Sequence, residues 1–251
     1  MPQLKGYHRP GNIDEALALL ARPNINSTVI AGGTHIIPNL SDAVDEVIDL
    51  QNVAGLAQVK QVGHQLILGA MVRLQTLVEA GQMPALLRAA ASLEGPNTLR
   101  HAATIGGVVA APHKESELLA ALLVFEAEVE VQSGGGRKTV ALPNFLRDIP
   151  SALNGGIITV VALTTTGKTA HARTARTPTD RPIVAALARL ADDGQMRLAL
   201  CGVANTPVLI DPANVKAGVN PPGDFRGSRE YRRQLAATLS QRVITEIAEQ
   251  N

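Results

Sequence analysis

Ala31-Gly32-Gly33-Thr34-His35 and Thr104-Ile105-Gly106-Gly107-Val108 are the two stretches whose reading decides the fold. Thr28-Val29-Ile30 runs into the first and Ala102-Ala103 into the second, so each reads as a paired-glycine turn closing an apolar segment. With no Cβ in the way, such a turn opens its backbone N–H groups to a closely approaching anion. Two of them, far apart in sequence and free of Lys and Arg, predict a diphosphate held between backbone amides.

Outward from these turns, the pattern alternates between strand and helix. Asn12 reads as an N-cap, with Glu15 three residues on and Ile13, Ala16, Leu17 and Leu20 on one face; Pro23 ends that helix. Strands are predicted at 28–30, 47–50 and 65–70, and helical spacing between Leu74 and Leu93. A leucine-rich helix begins near Ser116. Residues 127–131 alternate as a strand, and 133–136 read as a hairpin turn. Another strand follows at 157–162. The chain is then polar, threonine-rich and basic from Thr164 to Arg181, which marks a domain boundary. Apolar runs at 183–190 and 197–203 bracket Asp193-Gly194, and a long helix closes the chain from about Ser228.

Composition narrows the function. The 251 residues carry 23 basic and 22 acidic side chains, so there is no field to attract nucleic acid or an anionic membrane. No apolar run is long enough to cross a bilayer, and the start of the chain, with Lys5 and then Pro10-Gly11, does not read as a signal peptide. A single cysteine, Cys201, excludes internal disulfides, thiolate zinc and an iron–sulfur cluster built from this chain alone. Six histidines, none paired at helical spacing, argue against a metal site. A cytoplasmic setting is expected. With three Phe, two Tyr and no Trp, the core must be aliphatic.

With both glycine turns in place, the chain resembles the flavin-binding medium subunits of the molybdenum hydroxylase family, which includes xanthine and carbon monoxide dehydrogenases. The resemblance runs through Tyr7-His8-Arg9-Pro10, the first glycine turn, Leu68-Gly69-Ala70-Met71 and Leu99-Arg100 leading into the second turn. In the second half it takes in Cys201 to Pro207 and Asp224-Phe225-Arg226-Gly227-Ser228 with Tyr231-Arg232. It implies an α+β fold: an FAD-binding domain over 1–165, made of two small α/β subdomains (about 1–55 and 56–165, PCMH-like), then a C-terminal sheet-and-helix domain over 166–251. It implies FAD as cofactor, and as partners a molybdopterin-binding large subunit and an iron–sulfur small subunit. Electrons would pass from the partner clusters through FAD to NAD or another acceptor. No Gly-x-Gly-x-x-Gly run marks a resident NAD site.

The same resemblance assigns site residues. Ala31, Gly32, Gly33, Thr34, His35 and Ile36 would surround the diphosphate from one side, and Thr104, Gly106, Gly107 and Val108 from the other. Glu117 would accept hydrogen bonds from ribose or helix amides, Ile157 would pack against the flavin, and Arg173 and Asp180 would lie near the edge of its ring. Departures are specific: Val108 stands where the family has Asn, Ala111 and Pro112 follow where polar contacts are common, and His35 replaces Asp or Ser. The competing expectation is therefore a flavin-free assembly subunit that keeps the fold. No arrangement of His, Tyr or paired acids predicts a substrate-activating site in this chain.

Overall fold

The computed structural model describes residues 4–250, which form two compact units. The first comprises residues up to Thr76, Asn97–Ala111 and Glu128–Ala162. The second comprises Leu77–Pro96, Pro112–Ala127 and the chain from Leu163 onward. This grouping is interleaved along the sequence.

In the first unit, a parallel three-stranded sheet has Glu46–Asp49 between Gly6–His8 and Ser27–Ile30. Parallel neighbours need a crossover, and the helix Ile13–Leu20 lies in the connection leading to Ser27–Ile30. Its start is fixed by a reciprocal cap: Glu15 N–H donates to Asn12 Oδ1 at 2.9 Å, and Gly11 N–H to Glu15 Oε2 at 2.9 Å. Ala16, Ile48, Leu50 and Ile157 share its aliphatic core. A five-stranded sheet follows, in the order Val59–Val62, Gln65–Gly69, Ile157–Thr164, Glu128–Ser133, Gly136–Ala141. The last two strands form the predicted hairpin, closing at the Ser133–Gly136 pair with Gly136 at φ +106°.

The second unit is built on an antiparallel sheet ordered Val208–Ile210, Met196–Cys201, Val184–Leu190, Lys168–Thr174. Ala186, Ala188, Leu198 and Leu200 cluster with Ala236, Leu239, Val243 and Ile247 of the closing helix Arg229–Glu249. The intervening Ala185, Leu187 and Ala199 are also fully buried, as strands covered on both faces require. The second cover is the helix Glu117–Val124, in contact with both central strands and with the helix Ala85–Ser92. Every residue of Glu117–Val124 is buried, which explains why the segment joins this unit.

Three expectations are corrected. Helical spacing from 74 to 93 resolves into two helices, Leu74–Glu79 and Ala85–Ser92, because Gly81 and Pro84 interrupt it. The polar stretch 164–181 contains the strand Lys168–Thr174, whose inward residues are the small Ala170 and Ala172. The second glycine pair is not a turn closing an apolar segment. It occupies the first turn of a short helix, Ile105–Ala110, entered from the helix Asn97–Ala102.

Candidate functional site

The first glycine turn leaves the strand Ser27–Ile30 and carries a run of unpaired donors. Among the described residues, the N–H groups of Gly32, Gly33, Thr34, His35 and Ile36 make no hydrogen bond to protein. Gly33 sits at φ +73°, a left-handed conformation only glycine takes without strain. The carbonyls of Gly33 and Ile36 are used, accepting from Ile37 N–H at 3.1 Å and Asn39 N–H at 3.2 Å. The His35 carbonyl accepts from Asn39 Nδ2 at 2.7 Å. The turn is thus fixed through its acceptors while its donors stay free. Successive free amides around a left-handed residue form an anion-binding concavity. Thr34 and His35 expose their side chains beside it.

The second glycine pair is arranged in the opposite way. Ile105 N–H donates to Val72 O at 2.9 Å, Gly106 N–H to Ala70 O at 2.9 Å, Gly107 N–H to Thr104 Oγ1 at 3.1 Å and Val108 N–H to Thr104 O at 3.0 Å. Thr104 is the N-cap of its helix and is buried, so its hydroxyl is engaged as a cap. Glycine at 106 answers to close packing: a Cβ there would stand 2.7 Å from Ala70 Cβ and 2.8 Å from its carbonyl oxygen. Residues 103–106 are thereby clamped alongside 70–74, with Leu74 N–H also donating to Ala103 O at 3.0 Å. Ile157 is buried in the core of the same unit.

Glu117, Arg173 and Asp180 lie in the second unit, joined in one network. Glu117 is buried at the start of its helix; its Oε1 accepts from Arg173 Nε at 3.0 Å and lies 2.7 Å from His171 Nε2. Its Oε2 is buried without a partner among the described residues. Arg173 also donates to the carbonyls of Pro178 (2.8 Å) and Asp180, so its guanidinium pins the loop after its strand. Neighbouring carboxylates are held likewise: Glu94 by Arg181 and by the Ser116 hydroxyl at 2.6 Å, and Glu115 by Arg226. Cys201 is fully buried; burial, then the charge of Glu117, push its thiol well above the ordinary value, so it acts as a small apolar residue. No group of His, Cys, Asp and Glu among the described residues could hold a metal ion. Nor is any helix there long and apolar enough to cross a membrane.

His171 and Arg73 are two residues that the sequence patterns did not single out. Both lie in stretches with no motif of their own, and only tertiary pairing reveals them. Five free amides on one turn suit the phosphate oxygens of a dinucleotide. Val108 and Ala111, by contrast, bring no polar side chain from the other stretch.

The fold and the amide run define an α+β subunit with a backbone cradle suited to an anion. Residues 2–163 match the family model described as the FAD binding domain in molybdopterin dehydrogenase. The chain belongs to that family, so FAD is its cofactor and oxidoreduction its class of chemistry. Over 94% of its length it is 28% identical to uncharacterized protein YgfM of Escherichia coli (strain K12), covering 93% of that protein. It is 25% identical to the carbon monoxide dehydrogenase medium chain of Afipia carboxidovorans, over 95% of this chain and 94% of the other. Its fold matches a chain of carbon monoxide dehydrogenase from Hydrogenophaga pseudoflava with a TM-score of 0.87 at 22% identity, covering 99% of each.

Proposed function

We propose that this chain is the electron-transfer subunit of a molybdopterin-dependent hydroxylase or dehydrogenase. In that assembly a large partner subunit binds molybdopterin and a small one carries iron–sulfur clusters. Bound FAD would supply the redox relay between those clusters and an acceptor such as NAD. The chain's own residues bind and orient. The free amides of Gly32 to Ile36 take the diphosphate, with the Thr34 hydroxyl alongside. The clamp between 70–74 and 103–106 keeps the Ile105–Ala110 helix rigid, and the Glu117–Arg173 network fixes the loop through Pro178 and Asp180.

The observation that carries this reading is the unbroken run of five unpaired amides on a turn in which the carbonyls of Gly33, His35 and Ile36 are already bonded. Free donors so organised complement a dianion without net positive charge. The test is the visible spectrum of the purified chain, together with co-purification from its native source. Oxidised flavin bands near about 370 and 450 nm and recovery as a heteromer are expected. A colourless, folded chain that takes up no added FAD would refute the proposal.

A further inference from the structure

The segment bearing the first glycine turn is devoid of cations. Between Arg22 and Lys60 the sequence holds no Lys or Arg. The fold supplies one from elsewhere. Arg73 pairs with Thr104 in an isolated antiparallel bridge, flanked by the Ile105 N–H to Val72 O and Leu74 N–H to Ala103 O hydrogen bonds. Its Nη1 donates to the carbonyl oxygen of Ala102. That same carbonyl is the atom a Cβ on Gly32 would overlap. The guanidinium is therefore one carbonyl away from the first glycine turn, on a backbone bonded to the start of the second.

Arg73 is otherwise uncommitted. It is half-buried, and among the described residues it makes this single side-chain hydrogen bond and no ion pair. Five other inward-lying arginines differ: Arg173, Arg181, Arg189, Arg226 and Arg232 each face a carboxylate. A partly desolvated guanidinium with no counter-ion is costly unless an anion completes it. Its planar fork of five N–H donors matches phosphate oxygens in pairs. One carbonyl leaves most of that fork available.

We propose that Arg73 is the cation of the diphosphate cradle, ion-pairing with the FAD phosphates that the free amides of the first turn engage. This rests on the reading of that turn as the diphosphate site. It gives the cradle an asymmetric design. The first turn contributes backbone donors, Arg73 contributes charge, and the second glycine pair contributes a rigid, closely packed wall. Ala102 ends a helix, so a purely structural arginine would also favour its carbonyl; the two roles separate by what they move.

The experiment compares the parent with Arg73→Gln and Arg73→Lys. It measures affinity for FAD, ADP and riboflavin in low and moderate salt, and melting of the flavin-free proteins. Glutamine keeps a donor for Ala102 O and loses the charge. FAD and ADP binding should weaken at least tenfold in Arg73→Gln and several-fold in Arg73→Lys. Riboflavin, which has no phosphate, should bind all three proteins alike. The loss should be largest at low salt, where charge is least screened. A folded Arg73→Gln variant with parental FAD and ADP affinity overturns the role of Arg73 alone, and a parent that binds neither overturns the cradle as well. Should Arg73→Gln not fold, Arg73→Lys decides, because one ammonium cannot serve Ala102 O and a phosphate pair as a fork does; parental affinity there also overturns the proposal.

Discussion

The carbonyl oxygen of Ala102 lies only 2.1 Å from the position a Cβ on Gly32 would take. Glycine at 32 is therefore dictated by the protein's own backbone, whatever ligand the turn receives, and Gly106 is held to the same requirement by Ala70. Gly32→Ala and Gly106→Ala should each destabilise the flavin-free protein by about 2–3 kcal/mol through forced overpacking. Gly107→Ala should be neutral or slightly stabilising: its Cβ meets only Thr104 Oγ1, at 3.1 Å, and Ala gains about 0.5–1 kcal/mol over Gly in a helix. Urea denaturation of the three flavin-free variants checks the ranking. Equal stability of Gly32→Ala and Gly107→Ala would contradict it.

How much of this the sequence shows depends on how local the signal is. The Asn12 and Ser116 caps are legible because cap chemistry involves only three or four successive residues. The strand at 157–164 is legible from its aliphatic run. Lys168–Thr174 is not, since Ala170 and Ala172 are its only buried side chains and alanine gives no strand signal. The second glycine pair looks like the first in sequence. What separates them is where their N–H groups go, and that depends on Ala70 and Val72 some thirty residues away. Arg73 was invisible for the same reason. The Glu117–Arg173, Glu94–Arg181 and Glu115–Arg226 pairs of the second unit span 56 to 111 residues and leave no periodic trace.

Glu117 anchors two basic side chains from a fully buried position, so its charge cannot be removed cheaply. Glu117→Gln leaves the Arg173 cation and the carbonyl-pinned loop without their counter-charge. Because His171 and Arg173 keep some solvent access, the cost should fall below that of a fully buried broken pair, at about 2–3 kcal/mol. The loop around Pro178 should also become more susceptible to proteolysis. Chemical denaturation and limited trypsin digestion test both. A variant as stable and as resistant as the parent would show that the network contributes little.

Asp224 and Arg232 give a stability contribution with a defined pH dependence. Arg232 is fully buried, and its Nη2 donates to Asp224 Oδ2 at 2.7 Å. That hydrogen bond holds the Asp224 carboxyl below its ordinary value. A depressed carboxyl stabilises the fold fully above its unfolded value, about 3.9, and loses that contribution as pH falls through the folded value. Asn would keep the Oδ1 bonds to Arg226 and Gly227 N–H while removing the charge. Asp224→Asn should therefore cost about 1–3 kcal/mol at pH 7. The gap between parent and variant should close as the pH falls below the unfolded carboxyl value and through the folded one. Denaturation curves at a series of pH values measure it, and a gap of constant size across that range would exclude the ion pair as its source.

Val108 is the departure whose consequence for flavin binding is most directly measurable. Its N–H is bonded to Thr104 O at 3.0 Å, and its half-buried side chain brings no polar group to the start of the Ile105–Ala110 helix. Valine and asparagine are both weak helix formers, so exchanging them should leave the cap and the clamp to 70–74 in place. An asparagine amide can donate to and accept from a nearby diphosphate or ribose, which valine cannot do. Val108→Asn should therefore tighten FAD binding by up to about tenfold, equivalent to roughly 1.4 kcal/mol. It should do so independently of Arg73, because the added bond carries no net charge, and its gain should be insensitive to salt. Flavin fluorescence quenching in low and moderate salt, with melting curves to establish folding, makes the comparison. Weaker FAD binding in a folded Val108→Asn variant would mean that the valine methyls pack against the cofactor, making this substitution an adaptation of the site and not a lost contact.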